Sequence, residues 1–529
     1  MSRTRATSRA RVSRARVSMH TFGALDLAVL LAYLGGTTAL GLWVGRRQRS
    51  SNDYFVAERT IPWWAVLFSV VATETSALTF ISTPGLSYGG APHTGDLAFL
   101  QIVAGYVIGR VVVAYTLLPR YYEGKLVTAY ALLEQRFGVA TRRFTSIVFM
   151  ATRALADSVR VFATAIPIAI IIGPAVKNPA LVTPIAVLIL GLLTIIYTYR
   201  GGMKAVVWTE LVQAGVYVFG GIVAVVLLGH AVPGGWSEIF HSAGQAGKLR
   251  AVDTYMGLAR PYTLFAGLLG GAFLSMASHG ADQLIVQRLL CARSLRDARR
   301  AIIGSGFAVF AQFALFLVIG LGLWAFYQGR HFDATDVIFP TYIVEHMPSG
   351  LLGLIVAAIV AATMSTHSGA INSLAAAATN DIYLPIAKVS PEDPRALRIS
   401  RALAVMWGVI LTGGALMFHA QGTPVVVLAL SIASFTYGGL LGGFFLGIFW
   451  RRAIQRDALI GMSVGILAMA IVVSAKPLGA AFPSLASTLA PVARIAWPLY
   501  VLIGTTITMA TGMLSSLAHP LPASREVGA

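Results

Sequence analysis

Charged residues are scarce in this sequence. Asp, Glu, Lys and Arg make up 12% of its 529 residues, whereas hydrophobic residues make up 57%. A soluble domain carries about 25% charged residues, because its surface must face water. The scarcity of charge therefore excludes an ordinary soluble protein and indicates a chain that lies mostly in lipid.

Cysteine is almost absent as well. The single cysteine, Cys291, excludes an intramolecular disulfide, and we expect no function from cysteine chemistry. The 40 basic residues outnumber the 21 acidic ones, a surplus that nucleic-acid-binding proteins share. Here the basic residues lie between apolar segments, which indicates membrane topology, so we expect no nucleic-acid partner.

Long apolar runs take the place of charge. A helix that crosses a bilayer needs roughly 20 predominantly apolar residues, and about thirteen segments of the sequence meet that length. They predict an all-α membrane protein that is embedded in a lipid bilayer. The predicted spans are 24–44, 62–85, 95–118, 143–172, 180–199, 206–229, 262–287, 302–327, 350–384, 398–418, 425–450, 457–475 and 494–514.

Arginine and lysine alternate between the connections of these spans. Basic connections remain in the cytoplasm. The alternation therefore predicts an N-terminus outside and a cytoplasmic C-terminus, in the inner membrane of a bacterium. The basic connections contain Arg46, Arg47, Arg49 and Arg59; Arg120, Lys125, Arg136, Arg142 and Arg143; and Arg288, Arg293, Arg296, Arg299 and Arg300.

The first 18 residues conflict with this orientation. They contain six arginines, and a basic arm normally holds its end of the chain in the cytoplasm. Three interpretations remain: a true start at Met19, a signal peptide, or a disordered basic tail. A signal peptide is disfavoured, because no cleavage motif follows and the segment 24–44 is long enough to span.

The spans divide into two sets of five. An odd number of spans per set forces the two sets into opposite orientations, the pattern of transporters built from inverted repeats. Each set opens with a span that polar residues, Gly or Pro interrupt: Thr73–Ser76 and Pro84-Gly85 in the first, and Gly267, Gly270, Gly271 and Gly280, followed by Asp282, in the second. Such a pair predicts a solute site between them; the alternative is two ordinary helices with packing glycines. The predicted division is a basic arm (1–18), an extra helix and loop (19–61), two repeats (62–229 and 262–450) and two C-terminal helices with a tail (451–529).

Several short motifs resemble the sodium:solute symporter family. They occur in the family's order across most of residues 45–455. The resemblance implies inverted five-helix repeats of the leucine-transporter type with flanking helices, and Na⁺ as the coupling ion. The motifs are 51–57 (SNDYFVA), 197–205 (YTYRGGMKA), 207–213 (VWTELVQ), Gln287-Arg288 with Ala292 and Ser294, 362–366 (ATMST) and 379–383 (TNDIY).

The resemblance also implies sodium ligands. Na⁺ is a hard cation that is held by about five oxygens, and unwound carbonyls and hydroxyls supply them inside a membrane. The positions that match the family's main site are Ala72, Thr75, Ala362, Ser365 and Thr366. The alternative is that these hydroxyls only bond to their own helix.

Some family members have a second sodium site, and the match to it is incomplete here. Glu210, Ser365 and Ser368 stand at three of its positions. The family's Asp is replaced by Glu210, and Gly369 replaces a serine ligand. The number of Na⁺ ions per cycle therefore stays open.

Charged residues inside spans predict the solute site, because such residues are costly in lipid and usually functional. Arg153, Asp157 and Arg160 share one face of a helix, either as a ladder that neutralises itself or with an arginine that binds an anionic solute. Glu74 and Thr79 match the positions of sugar-binding Asn and Gln in a galactose-transporting member, so an ordinary hexose is disfavoured. His279 and Asp282 complete the predicted site.

The leading hypothesis is a monomeric symporter that couples Na⁺ influx to uptake of a small polar solute by alternating access, without a cofactor. The solute could be anionic, such as a carboxylate or a sugar acid. Glu74 keeps proton coupling open as an alternative, and a transporter-like sensor is a second one. A channel is disfavoured, because no span supplies a filter. An enzyme is not expected, because the sequence has no nucleophile–base pair, metal cluster or phosphate loop.

Overall fold

A computed structural model describes residues 22–45, 50–74, 77–89, 95–123, 126–173, 176–418 and 425–520. Within these ranges the chain forms helices and no strand. The first half contains α1 (Ala24–Gly45), α2 (Ser51–Val56), α3 (Trp63–Glu74), α4 (Ala77–Tyr88), α5 (Leu100–Tyr122), α6 (Tyr130–Phe137), α7 (Val139–Ile172), α8 (Pro179–Ala231) and α9 (Gly235–Gln245). The predicted N-terminal arm lies outside the described residues.

The second half continues with shorter pieces followed by long helices. It contains α10 (Gly271–Gly280), α11 (Gln283–Leu290), α12 (Leu295–Phe326), α13 (Ile338–His346), α14 (Leu351–Ala377), α15 (Leu384–Ala387), α16 (Pro394–Leu416), α17 (Val425–Phe449), α18 (Gln455–Ala481), α19 (Pro483–Ala493) and α20 (Tyr500–Leu517). Two π-helical turns, Ala266–Gly270 and Ala378–Tyr383, precede α10 and follow α14.

The predicted spans fall on these helices. Ten described helical segments are long and apolar enough to cross a membrane, and the bent pair α3–α4 makes eleven. The other two predicted spans are α7, which carries Arg153, Asp157 and Arg160 in its middle, and the interrupted segment from Ala266 to Leu290.

Both predicted interruptions are confirmed. The two pieces of the first span, Trp63–Glu74 and Thr79–Tyr88, are inclined at 61° to each other. The second breaks after Gly280, and α11 begins at Gln283 with Asp282 as its N-cap. Asp282 Oδ1 accepts a hydrogen bond of 2.8 Å from the Leu284 amide, so the carboxylate satisfies a donor that the helix start exposes.

Helix α14 lies at the centre of the bundle. It packs against α1, α3, α7, α8 and α16, and 88% of its most apolar stretch is buried. Its N-terminus is held by Asp26 of α1, whose Oδ1 accepts from the Gly350 amide at 2.7 Å and the Gly353 amide at 2.9 Å. The polar residues of α14 therefore face other helices and not lipid.

Helices α5 and α10 cross with their backbones in close contact. A Cβ added at Gly109 of α5 would meet the carbonyl oxygen of Ala272 on α10, and one at Gly105 would lie 2.5 Å from the Gly267 carbonyl oxygen. Small residues permit this approach, which lets helices associate in lipid without a hydrophobic driving force.

The space around two glycines, one at this crossing and one away from it, predicts different effects of a Gly→Ala substitution. Gly109→Ala will lower the free energy of unfolding by about 1–3 kcal/mol, because the added methyl group would overlap with backbone atoms of Ala272, which cannot rotate aside. Gly215→Ala on α8 has open space within 4 Å, so it will be neutral or will stabilise by up to about 1 kcal/mol through helix propensity. Melting temperatures of the purified variants measure both, and equal effects would contradict the close crossing.

Candidate functional site

The interrupted helices line a cavity whose wall contains several polar and charged side chains. Its volume is about 800 Å³, including the part that is open to solvent. Six of the seven predicted solute residues line it, namely Glu74, Thr79, Arg153, Arg160, His279 and Asp282. The seventh, Asp157, is buried behind the wall and bonds to Arg153 at 2.6 Å. The sequence therefore predicted the residues that the fold brings together, and their solute-binding role stays a prediction.

A charged network joins α7, α11 and α17 along one wall of the cavity. Arg153 Nε donates to Asp157, and its Nη1 donates to Asp282 at 3.1 Å and to the Tyr437 hydroxyl at 3.2 Å. Tyr437 in turn donates to Asp282. Arg153 thus binds two carboxylates, each of which offsets the cost of burying the other charges.

Arg160 is the arginine that is most accessible from the cavity. Its Nη1 lies 3.5 Å from Asp157, and 15% of its side chain is exposed, compared with 5% for Arg153 and 0% for Arg110. The predicted ladder is therefore present on α7, but its two arginines are not equivalent. Arg153 is enclosed by its partners, whereas part of Arg160 reaches the cavity.

A second ion pair, between Glu74 and Arg110, places one of its partners, Glu74, in the cavity wall. Glu74, the last residue of α3, accepts from Arg110 of α5, which also donates to Ser305 at 2.9 Å. His279 Nε2 lies 3.4 Å from the same carboxylate. Because Arg110 is completely buried, Glu74 serves as the counter-charge of an internal arginine and is not simply a free carboxylate in the cavity.

The predicted sodium ligands lie where α3 meets α14. Ala72 and Ala362 line one small cavity of about 250 Å³, and Ser365 and Thr366 are buried one turn further along α14. Thr366 donates to the Ala362 carbonyl at 3.1 Å, so this hydroxyl bonds to its own helix. Its oxygen keeps lone pairs for a cation, since only its proton is used. Thr75 lies outside the described residues, and the ligand set stays a prediction.

Glu210 of α8 occupies a different environment from the one that the sequence suggested. Arg288 of α11 donates to its Oε1 at 2.5 Å and to its Oε2 at 3.2 Å, and both side chains are 0% exposed. Ser365 Oγ also donates to Glu210, at 3.0 Å. Ser368 donates to the Ser365 carbonyl at 3.0 Å. A second sodium site at Glu210 and Ser368 stays a prediction, but this carboxylate already has a cationic partner.

Sequence reasoning missed three participants. Arg288 counted as a basic residue of a cytoplasmic connection, which was wrong because it is buried against Glu210. Arg110 gives the sequence signal of a charge within a span, but that signal names no partner. Tyr437 gave no signal, because an aromatic residue in an apolar helix is ordinary. Only the fold shows that these side chains meet Glu210, Glu74 and Asp282.

The chain is similar to known transporters over almost its whole length. The model of the sodium:solute symporter family matches residues 54–465. The sodium/sialic acid symporter NanT of Aliivibrio fischeri is 33% identical over 478 residues, covering 89% of this chain and 92% of the relative. The sodium/sialic acid symporter SiaT of Proteus mirabilis is 30% identical, covering 86% and 90%.

Solved structures agree with this similarity. A Na⁺-coupled sialic acid symporter, in its substrate-bound outward-open state, superposes with a TM-score of 0.80 at 28% identity, covering 94% of this chain and 99% of the other. Mhp1, a nucleobase-cation-symport-1 transporter, shares the fold alone, with a TM-score of 0.55 at 13% identity.

These similarities confirm the predicted leucine-transporter type of fold and the multi-pass membrane location. They favour sodium coupling over the proton-coupled and sensor alternatives, since the relatives are sodium symporters. The relatives are transporters and not enzymes, as the sequence led us to expect. Sodium is the coupling ion, and a small organic solute is the cargo. The chain belongs to the sodium:solute symporter family and is a secondary active transporter that couples Na⁺ influx to solute uptake.

Proposed function

We propose that this symporter imports an anionic sugar acid. The observation that carries the proposal is the exposure of Arg160 in the cavity, 15% of its side chain compared with 5% for Arg153. A guanidinium binds a carboxylate through two parallel hydrogen bonds. An acidic solute would therefore place its carboxylate at Arg160.

The rest of the cavity suits a polar ring. Thr79, Ser278 and His279 present hydroxyl and imidazole groups to it, and Phe99 and Phe313 present apolar faces. Binding sites for small molecules typically combine an apolar lining with a few fixed polar groups. The curated relatives from Aliivibrio fischeri and Proteus mirabilis are sialic acid symporters, which supports a solute that combines a carboxylate with hydroxyls.

The proposed sodium site uses carbonyls of Ala72, Thr75 and Ala362 with the hydroxyls of Ser365 and Thr366. This site joins α3, which ends at the solute cavity, to the central helix α14. A cation bound there would hold the interrupted first span in place, so Na⁺ and solute would stabilise the same arrangement. Binding of each then favours binding of the other, because coupling between two sites is reciprocal.

The same proposal includes the topology. We place the N-terminus outside and the C-terminus in the cytoplasm of a bacterial inner membrane, with two inverted repeats at 62–229 and 262–450. Arg293 in the connection after α11, together with Arg296, Arg299 and Arg300 at the start of α12, supports this orientation. The solute and sodium sites both lie within a single chain, so we propose that the monomer transports.

A thermal-shift screen tests the proposed solute. Purified protein is heated with sialic acid, other sugar acids, monocarboxylates, amino acids and neutral hexoses, each in NaCl and in KCl. We expect sugar acids to raise the melting temperature in NaCl and to have little effect in KCl. A response only to neutral hexoses would reject the anionic solute, and an equal response in KCl would reject sodium coupling.

Two arginine variants test whether Arg160 binds the solute. Arg160→Gln will weaken binding of the sugar acid about tenfold or more, since a charge-assisted bidentate contact is worth about 1.5–3 kcal/mol. Arg120→Gln is the matched control, because Arg120 is 51% exposed and pairs only loosely with Glu123 at 3.5 Å. Equal affinities of the two variants would remove Arg160 from the solute site.

A further inference from the structure

Gln283 holds the second interrupted span to the connection between α5 and α6. It is the first residue of α11 and is 0% exposed. Its side-chain Oε1 accepts from the Ala129 amide at 2.7 Å, and its Nε2 donates to the Val127 carbonyl at 3.1 Å. Its own backbone amide donates to the Tyr130 hydroxyl at 3.4 Å. Both ends of one buried amide side chain therefore bind the segment 127–130.

The same segment is also bound by Asp381, which lies in the π-helical turn after α14. Thr128 Oγ1 donates to Asp381 Oδ1 at 2.6 Å. Arg142 of α7 donates from Nε to the same oxygen at 2.7 Å and from Nη2 to the Asn380 carbonyl at 2.9 Å. The ion pair fixes the Asp381 carboxylate in place, so Thr128 bonds to an anchored partner.

These contacts join two groups of helices. Helix α5 packs against both α10 and α12, and α14 packs against both α7 and α16. Helix α10 leads through the second break to Gln283, whereas Asp381 follows α14. The contacts from Gln283 through 127–130 to Asp381 therefore connect the first group to the second. Rocking of one such group against the other exposes a central site alternately to the two sides of the membrane in transporters built from repeats.

The solute cavity ends directly beside Gln283. Asp282 and Leu284 line the cavity, whereas Gln283 between them does not. The connection between α5 and α6 is one of the basic connections that the proposed orientation places in the cytoplasm. Consecutive residues of the second break thus contact the solute cavity and a segment on its cytoplasmic side.

We propose that Gln283, the segment 127–130 and Asp381 form a latch that closes the solute cavity toward the cytoplasm and has to open before solute leaves. The proposal rests on the proposed function, in particular on the orientation with a cytoplasmic C-terminus. The described structure shows the latch closed, with Gln283, Thr128 and Asp381 each at most 1% exposed. Because hydrogen bonds exchange with water at little net cost, water that enters from the cytoplasm can replace those of the latch in each cycle.

The two links of this latch act in series. Gln283 holds the segment 127–130 to α11, and Thr128 holds the same segment to Asp381. Loss of either link therefore opens the whole latch, and loss of the second adds nothing further. Thr128→Val removes one link and Gln283→Met removes the side-chain bonds of the other, and each substitution approximately keeps the shape of the side chain.

Thiol labelling from each side of the membrane tests the latch. Cys291→Ala removes the one native thiol, and Ala433→Cys in the cavity wall is the reporter. A charged methanethiosulfonate that does not cross the membrane is added to inside-out and to right-side-out vesicles, in NaCl without solute. With Thr128→Val, we expect labelling from the cytoplasmic face to become about tenfold faster, because a hydrogen bond to a charged group is lost. Labelling from the outer face is expected not to rise.

Thr145→Val is the matched control. Thr145 is buried on α7, but its hydroxyl bonds back to the Thr141 carbonyl of its own helix at 2.8 Å, so we expect unchanged labelling from both faces. Gln283→Met is expected to act like Thr128→Val, and it supplies the test if Thr128→Val does not fold. The double variant is expected to label no faster than the faster of the two single variants.

The outcomes separate the latch from the orientation on which it rests. Unchanged labelling in the folded variants, or faster labelling from both faces, would overturn the latch, because the first shows no closure and the second shows general loosening. Additive effects in the double variant would overturn the arrangement in series. Faster labelling from the outer face alone would overturn the proposed orientation, and the cytoplasmic position of the latch with it.

Discussion

The Ser365→Ala/Thr366→Ala double variant is expected to need at least about tenfold more Na⁺ for half-maximal stabilisation or uptake. It removes both hydroxyls that we assign to the sodium site, whereas loss of a group that merely supports a metal ligand already costs 10–100-fold. Titration of the melting temperature with NaCl at constant ionic strength measures the change. The backbone carbonyls remain, so we expect weakened and not abolished binding.

Two single variants separate the roles of these hydroxyls. Thr366→Ala removes a ligand whose proton bonds within α14, so it reports on sodium alone. Ser365→Ala also removes a hydrogen bond to Glu210. Thr363→Ala is the matched control, because Thr363 lies on the same helix and bonds back to the Ile359 carbonyl at 2.8 Å. If Thr363→Ala raised the Na⁺ requirement as much as the double variant, the assigned ligands would be wrong.

Glu74→Gln is expected to destabilise the protein by about 3–5 kcal/mol, because it leaves the completely buried Arg110 without its counter-charge. The substitution keeps the shape of the side chain, so packing changes little. Thermal unfolding of the purified protein measures the loss. Glu74 also faces the solute cavity, so the stability measurement is made without solute.

An exposed ion pair supplies the control for Glu74. Arg120 and Glu123 are 51% and 63% exposed and lie 3.5 Å apart, so Glu123→Gln is expected to cost no more than about 1 kcal/mol. The double variant Glu74→Gln/Arg110→Gln is expected to recover part of the loss, because no buried charge is left unpaired. A Glu74→Gln variant as stable as Glu123→Gln would show that Arg110 does not depend on this pair.

Much of the fold could be predicted from the sequence, for identifiable physical reasons. Apolar runs of spanning length are long-range signals that need no tertiary contact to recognise, and all thirteen correspond to helices in the described residues. The interruptions at Glu74 and Asp282 were also recognisable, because polar residues are costly in the middle of a span. Six cavity residues followed from the same argument.

Partners across the bundle could not be predicted in this way. Arg288 follows Glu210 by 78 residues, and Tyr437 follows Arg153 by 284. No local pattern relates residues so far apart, since which helix faces meet depends on packing of the complete bundle. Arg288 was misleading in particular, because a basic residue near the end of a span is typical of a cytoplasmic connection.

The charges of α7 have a consequence for how the protein is made. A charged residue at the centre of a lone helix costs about 2.5–3.5 kcal/mol to insert, and α7 carries three. Asp157 neutralises one arginine within the helix, but the remaining positive charge is balanced by Asp282, which is synthesised 129 residues after Arg153. During synthesis α7 therefore enters the bilayer before its last counter-charge exists. The ion pairs that line the solute cavity thus make the first half of the chain dependent on the second for its assembly, and the native bundle is completed only after α11 has been made.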